Sequence, residues 1–163
     1  MMEQNLPARL IPIDQIRPDP TQPRRLLPRD LGEALAAGAT PSEILTQLRS
    51  RVGRDKWTRE RFVKLDALAN SIAADGLMQP IRIFPNGDDR YEIEEGERRW
   101  WAHHILVQQG KDQFRNIATF VVDRDSESSG LLRRRVAENV LRSDFTAIEL
   151  ARATVGRIQE ILA

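Results

Sequence analysis

Between residues 80 and 109 the chain changes its apolar pattern at a single glycine, and this constrains the fold more than any other feature. Residues 80–84 (PIRIF) alternate as a strand does. Pro85-Asn86-Gly87-Asp88-Asp89 is a turn cluster, and Asn-Gly is a hairpin signal. Residues 90–94 (RYEIE) supply the returning strand. The pattern breaks sharply at Glu95-Gly96, and residues 97–109 read as a helix. A strand pair feeding a helix across one tight turn implies helices layered on a sheet.

The segments on either side fit that scheme. Residues 9–13 (RLIPI) read as an edge strand running to about Ile16. Residues 17–25 (RPDPTQPRR) hold three prolines in nine positions, which forbids a helix interior or a central strand and leaves a stiff loop. Residues 28–60 read as a helical insertion. Pro28 can open a helix at its first position, and Gly38 can stop it. Thr40-Pro41-Ser42-Glu43 is a capping box, with Ile44, Leu45, Leu48 and Val52 on one face of the helix it opens and Gly53 at its end. The stretch RDKWTRER reads as charged and exposed, with Trp57 its one large apolar anchor.

Phe62, Leu65, Leu68, Ala69, Ile72 and Ala73 then form an amphipathic helix of about four turns, capped at Asp75-Gly76. Residues 117–122 (IATFVV) are apolar enough for a central strand. Asp125 or Ser126 can cap a helix over about 127–142. Thr146-x-x-Glu149 opens a last helix with Ile148, Ala151, Val155, Ile158 and Leu162 on one stripe. The order βααα-ββ-α-β-α-α predicts a small α/β (α+β) domain, a modest mixed sheet flanked by helices.

With 163 residues the chain is about one domain, large enough for a real core. There is no cysteine, which excludes disulfides, thiolate zinc sites and thiol catalysis. No apolar run reaches the roughly 18–20 residues of a membrane span. The N-terminus lacks a signal-peptide pattern, so a cytoplasmic protein is expected. The formal net charge is only +1, so bulk charge does not by itself predict nucleic-acid binding, and the placement of the arginines has to decide. Only three of the 25 basic residues are lysines, and arginine suits bidentate phosphate contacts.

Three segments could carry chemistry. Gly96-Glu97-Arg98-Arg99 stands where a strand meets a helix. The first amides of a helix lack internal acceptors and carry partial positive charge, so an anion is stabilised there. Glycine lets the backbone approach a ligand closely, and Arg98 and Arg99 would neutralise the anion. Each such helix-terminus contribution is only ~0.3–1 kcal/mol, against roughly 8 kcal/mol for micromolar binding, so other segments must converge. Taken alone, GERR reads more readily as a plain helix start with surface arginines.

The second segment is Glu138-Asn139-Val140-Leu141-Arg142, beside Arg133-Arg134-Arg135. Glu138 and Arg142 share a helix face and could form a simple ion pair. Alternatively, Glu138 with Asn139 could hold a magnesium ion that also touches phosphates. The third segment, Thr21-Gln22-Pro23-Arg24-Arg25, presents polar side chains on a backbone stiffened by proline, or merely connects. His103 and His104 are adjacent on a helix, point apart and cannot chelate together. Trp100 and Trp101 read as packing residues rather than a stacking platform.

In this order the segments resemble the N-terminal domain of the ParB family of chromosome and plasmid partition proteins. TQPRR is similar to the family's first box, and LANSIAADGLMQPIRI to the helix-turn-strand after it. GERRWWA is similar to the GERRxxA phosphate motif, ENVLRSDF to ENxxRxDL, and TAIELARA to the first helix of the family's DNA-binding domain. The resemblance implies a ParB/sulfiredoxin-like fold over 1–143, with 144–163 starting a helix-turn-helix domain that is cut short. It also implies a slow CTPase switch: CTP with Mg²⁺ closes two N-terminal domains into a clamp that slides on DNA.

By that likeness Thr21, Gln22, Arg24 and Arg25 would face the nucleotide, with Gln22 near the reacting phosphate. Gly96, Glu97, Arg98 and Arg99 would hold phosphates. Glu138 and Asn139 would reach Mg²⁺, supported by Arg142. Self-association on nucleotide binding, DNA and a partition ATPase are the implied partners, and a nucleoid- or plasmid-associated location in the cytoplasm follows. Three features depart from the family pattern: the insertion beside the nucleotide loop could alter base choice or the dimer surface, while Trp101 (for a basic residue) and Leu141 (for glutamine) replace polar by apolar and would weaken phosphate contacts or hydrolysis. The competing readings are a nuclease or phosphotransferase on the same scaffold, and a partner-binding module without turnover.

Overall fold

The computed structural model describes residues 7–20 and 26–124. The chain divides into two units. One lies within Met1–Pro20 and Leu26–Val122; the other, Thr21–Arg25 with Asp123–Ala163, has only Asp123 and Arg124 among the described residues. The helices expected over 127–142 and from Thr146 onward lie outside the described residues.

The first unit is a mixed α/β fold: β1 (Arg9–Pro12), β2 (Ile16–Arg17), α1 (Arg29–Ala36), α2 (Pro41–Arg51), α3 (Lys56–Asp75), β3 (Ile81–Pro85), β4 (Tyr91–Glu95), α4 (Glu97–Gln108) and β5 (Asn116–Val121). The sheet order is β1-β5-β3-β4-β2. Pairs β1/β5 and β3/β4 are antiparallel, while β5/β3 and β4/β2 are parallel. The apolar 117–122 run is therefore an inner strand, as its composition predicted.

The expected single strand from Arg9 to Ile16 is corrected. A 3-10 turn over Ile13–Gln15 breaks it, and its halves become the two opposite edges of the sheet. This dictates the sheet's shape. Pro12 and Ile16 are at most about 14 Å apart along the chain, whereas four strand spacings of a flat sheet measure about 19 Å. The sheet must curl. Ile13 sits at the seam, 2% exposed, its N–H donating to the Arg115 carbonyl and its carbonyl accepting from Trp100 Nε1 at 3.0 Å.

The helices follow local chemistry. Thr40 Oγ1 accepts from the Glu43 amide and Glu43 Oε2 from the Thr40 amide, so the capping box forms as read. Gly38, at φ 112°, follows the last turn of α1. Pro28 is the cap residue of α1 rather than its first helical residue, with ψ at 149°. The charged RDKWTRER stretch is not a separate exposed segment. Asp55 caps the Trp57 and Thr58 amides, and one 20-residue helix runs from Lys56 through the expected four-turn stretch. Its first turns escape an apolar-period search because they expose charged residues around Thr58, the one buried position there. The hairpin turns through the expected cluster after Pro85, between β3 and β4. Asn86 and Arg90 close it, with positive φ at Gly87 and Asp89.

One core joins sheet and helices. It includes Ile81, Ile83, Ile93 and Ile117 from the strands, and Trp100, Trp101, Ile105 and Leu106 from α4. Leu31, Leu35, Ile44, Leu45 and Leu48 of α1 and α2 belong to the same cluster. The segment read as an insertion is therefore built into the core. Its boundary at residue 60 falls inside α3.

Candidate functional site

The β4–α4 junction is the part of the expected site that the described residues contain. Gly96 adopts φ 107° and ψ 27°, a left-handed conformation that side-chain-bearing residues rarely take. A Cβ there would stand 2.5 Å from Ile81 Cγ2 and 2.9 Å from Ile81 Cβ. The turn is thus pressed onto the first residue of β3, and no larger residue fits without displacing the strand.

Arg99, in the first turn of α4, completes the junction. Its Nη1 donates to the carbonyl oxygens of Gln79 (2.8 Å) and Pro80 (3.0 Å). The loop that leads into β3 is tied by this guanidinium to the first turn of α4. Glu97 Oε1 accepts from Trp101 Nε1 at 3.3 Å, linking the first turn to the second. Glu97, Arg98 and Arg99 are half-buried. The result is a helix start with a glycine turn, oriented amides and two guanidinium groups, which suits an anion such as a phosphate. Glu94, 2% exposed, is held in the adjoining strand by Arg82 at 3.1 Å.

The structure thus brings Gly96, Glu97, Arg98 and Arg99 together on one turn. Thr21, Gln22, Arg24, Arg25, Glu138, Asn139 and Arg142 lie outside the described residues. Among the described residues no group of three or more His, Asp or Glu side chains could hold a metal ion.

Sequence reasoning missed Gln79, Pro80 and Ile81 as parts of the junction. Two act through backbone carbonyls, which every residue carries, and the third through shape, so no residue-type signal marks them. Trp101 is fully buried. Its departure from the family pattern therefore places an indole in the core, and its N–H reaches Glu97. Trp100 is likewise fully buried, and the two indoles meet edge to face at 4.8 Å, as packing residues should.

His103 and His104 are buried behind the site. His103 Nδ1 lies 3.0 Å from the Phe114 carbonyl, and the His104 ring packs edge-on to Trp100 at 4.4 Å. Burial pushes the His103 pKa down, partly offset by the Phe114 contact. Burial, with His103 and Arg17 nearby, lowers that of His104 to about 3. Both are neutral packing groups at ordinary pH.

Residues 45–128 match the ParB N-terminal domain family. The match starts within the segment read as an insertion. The chain is 40% identical over 96 residues to the probable chromosome-partitioning protein ParB of Pseudomonas putida, covering 59% of this chain and 30% of that protein. It thus spans about a third of the length of such curated relatives. Among solved structures it is similar to C-terminally truncated ParB from Caulobacter crescentus complexed with CTP-gamma-S (TM-score 0.50, 24% identity, 96% of this chain and 65% of that chain). It is also similar to the same protein complexed to the centromeric parS site (TM-score 0.51, 22% identity, 95% and 59%). At these identities the likeness shows the fold.

Proposed function

This chain belongs to the ParB N-terminal domain family, and from that premise we propose that it is the nucleotide-binding switch domain of a DNA partition protein. In this reading residues 1–143 bind CTP with Mg²⁺ and hydrolyse it slowly, and 144–163 begin a DNA-binding domain. The bound nucleotide favours self-association of two such domains around DNA. A partition ATPase is a further partner, and the protein works in the cytoplasm on a nucleoid or plasmid. Among the described residues no helix is long and apolar enough to cross a membrane.

The observation that carries this reading is the Gly96 turn: a left-handed glycine with no room for a Cβ opens a helix whose first residues are Glu97, Arg98 and Arg99. The amides and Arg98 would bind phosphate oxygens, while Arg99 fixes the turn against the Gln79–Pro80 backbone. Each helix-terminus contribution is ~0.3–1 kcal/mol, so Thr21, Gln22, Arg24 and Arg25 are assigned to the remainder of the nucleotide. Glu138 and Asn139, with Arg142 in support, are assigned to Mg²⁺. One carboxylate and one amide fit an ion that takes few protein ligands and keeps phosphate oxygens and waters. When bound, Mg²⁺ would offset the negative charge of the phosphates. Gln22 is assigned to orient the water that attacks the γ-phosphorus, giving CDP and phosphate. That a protein of this fold takes CTP-gamma-S supports the choice of base.

A thermal-shift series with CTP, CDP and ATP, each with Mg²⁺, tests the proposal. Ligand at 100 times its Kd adds ~2.7 kcal/mol, which at ~2–4 °C per kcal/mol raises the melting point by roughly 5–11 °C. CTP is expected to give that shift, and Glu138→Ala or Gln22→Ala to abolish phosphate release. A shift with ATP but not CTP reassigns the base, and no shift with any of the three refutes nucleotide binding.

A further inference from the structure

The charge on this chain is unevenly placed. Residues 49–64 hold seven basic side chains and two acidic ones, although the whole chain carries a formal charge of only +1. They form the corner where α2 ends and α3 begins. Arg49, Arg54, Lys56, Arg59 and Lys64 are exposed there. Two basic groups are internally compensated: Arg51 pairs with Asp30 and Lys56 with Glu60. Arg49, Arg54, Arg59 and Lys64 have no acidic partner among the described residues. Two guanidinium groups of this corner also lie over rings, Arg49 at 5.6 Å from the Phe62 centroid and Arg61 at 3.8 Å from that of Trp57.

We propose that the α2–α3 corner is a docking surface for the phosphate backbone of duplex DNA, separate from the Gly96 turn. Helical spacing puts Arg59 and Lys64 on opposite flanks of the exposed face of α3, whose other side buries Leu65, Ala69 and Ile72. From Lys56 to Lys64 the helix rises about 12 Å. A duplex carries one charge per about 1.7 Å of axis with both strands counted, so the same length of one strand offers about three or four phosphates. Arginine's planar fork matches phosphate geometry. A protein partner would need an apolar centre to its interface. Among the described residues, Val63 is the one large apolar side chain that stands well exposed in this patch; Leu10 and Met78 lie on other elements. The surface is polar and cationic, which is the character of a backbone-contacting DNA interface.

The surface does not depend on the nucleotide reading, and the test separates the two. Binding of the whole 163-residue chain to a mixed-sequence duplex of about two helical turns is followed by fluorescence anisotropy between about 50 and about 200 mM salt. Polyglutamate serves as the acidic-protein competitor, and the nucleotide thermal shift is measured on the same samples. The triple variant Arg54→Ala, Arg59→Ala, Lys64→Ala is expected to weaken duplex binding roughly 10–100-fold and to flatten the log K against log salt slope by about 2–3. Its nucleotide-induced thermal shift should match that of the unaltered chain. Lysine at all three positions should keep most of the slope. Duplex binding that is absent at about 50 mM salt, or unchanged in the triple variant, overturns the proposal. So does polyglutamate displacing the duplex at equal charge concentration, which would assign the corner to an acidic protein.

Discussion

Gly96 and Ile81 are packed so closely that a β-carbon on the glycine would stand 2.5 Å from the isoleucine Cγ2. Strand and helix meet at van der Waals contact, backbone to side chain. The positive φ of 107° adds a conformational penalty for any L side chain. Gly96→Ala is therefore expected to cost about 2–3 kcal/mol, a fall of roughly 4–12 °C in Tm. Gly96→Ala with Ile81→Val should not recover that loss, because valine lacks only the Cδ1 methyl and keeps Cβ and Cγ2 at the point of collision. A Gly96→Ala chain with unchanged Tm would contradict the geometry.

The two arginines of the turn should separate by experiment. Arg99 donates from one nitrogen to two backbone carbonyls, so its truncation leaves Gln79 and Pro80 without that donor. Arg99→Ala is expected to lower stability by about 1–2 kcal/mol, within the range for hydrogen bonds to a charged group at a half-exposed site. It should also weaken CTP binding by loosening the turn. Arg98→Ala should weaken CTP binding more than Arg99→Ala does, because it removes a phosphate contact rather than a tie to the backbone. Urea unfolding and CTP titration on both variants check this. Equal loss of CTP binding in the two would remove the distinction between phosphate contact and positioning.

How much of this was legible in the sequence differs by element. The capping box at Thr40, the stop at Gly76 and the break at Gly96 were readable because each depends on local residue chemistry. The division of residues 9–17 between opposite sheet edges was not. An apolar run reads the same whether it is one strand or two, and only long-range pairing with Ile117 and Tyr91 decides. The start of α3 was hidden because its first turns carry charge outward. At the site, GERR marked the turn, but the residues that hold it (Gln79, Pro80, Ile81) act through carbonyls and shape. Residue types cannot announce those roles.

Leu45 tests whether the segment before α3 is an appendage or part of the domain. It is fully buried in the core shared by α2, α4 and the sheet. Gln108 of α4 also donates to the Ser42 carbonyl, tying the same surfaces. Leu45→Ala should cost about 2–5 kcal/mol in a single cooperative unfolding transition, as for other buried leucines. Thr40→Ala, which removes the capping box, should cost about 1 kcal/mol. A Leu45→Ala chain that unfolds in two steps, with the sheet unaffected, would make the helices a separate unit.

The buried histidines give stability a defined pH window. His104 is 8% exposed and His103 3%, and the Nε2 atoms of both lack a hydrogen-bond partner among the described residues. Burial lowers both pKa values, that of His104 to about 3. In the unfolded chain each takes a proton near 6.5. The unfolded state therefore binds more protons than the folded state as pH falls below that value, and stability falls with it. The contribution is fully present above pH ~6.5 and is lost progressively down to about 3 for His104. One pH unit is worth about 1.4 kcal/mol per group, so His104 alone should remove about 2 kcal/mol by pH ~5. Asp30 and Asp55, whose pKa values are lowered by Arg51 and by Thr58 respectively, lose their contributions only below the usual carboxylate range. The interval from about 6.5 to about 4 therefore isolates the histidines. Urea unfolding at pH values across that interval should show the decline, and His104→Leu should flatten it. A profile that stays level in the unaltered chain would mean that the rings accept protons in place, and that the packing around Trp100 is looser than the structure shows.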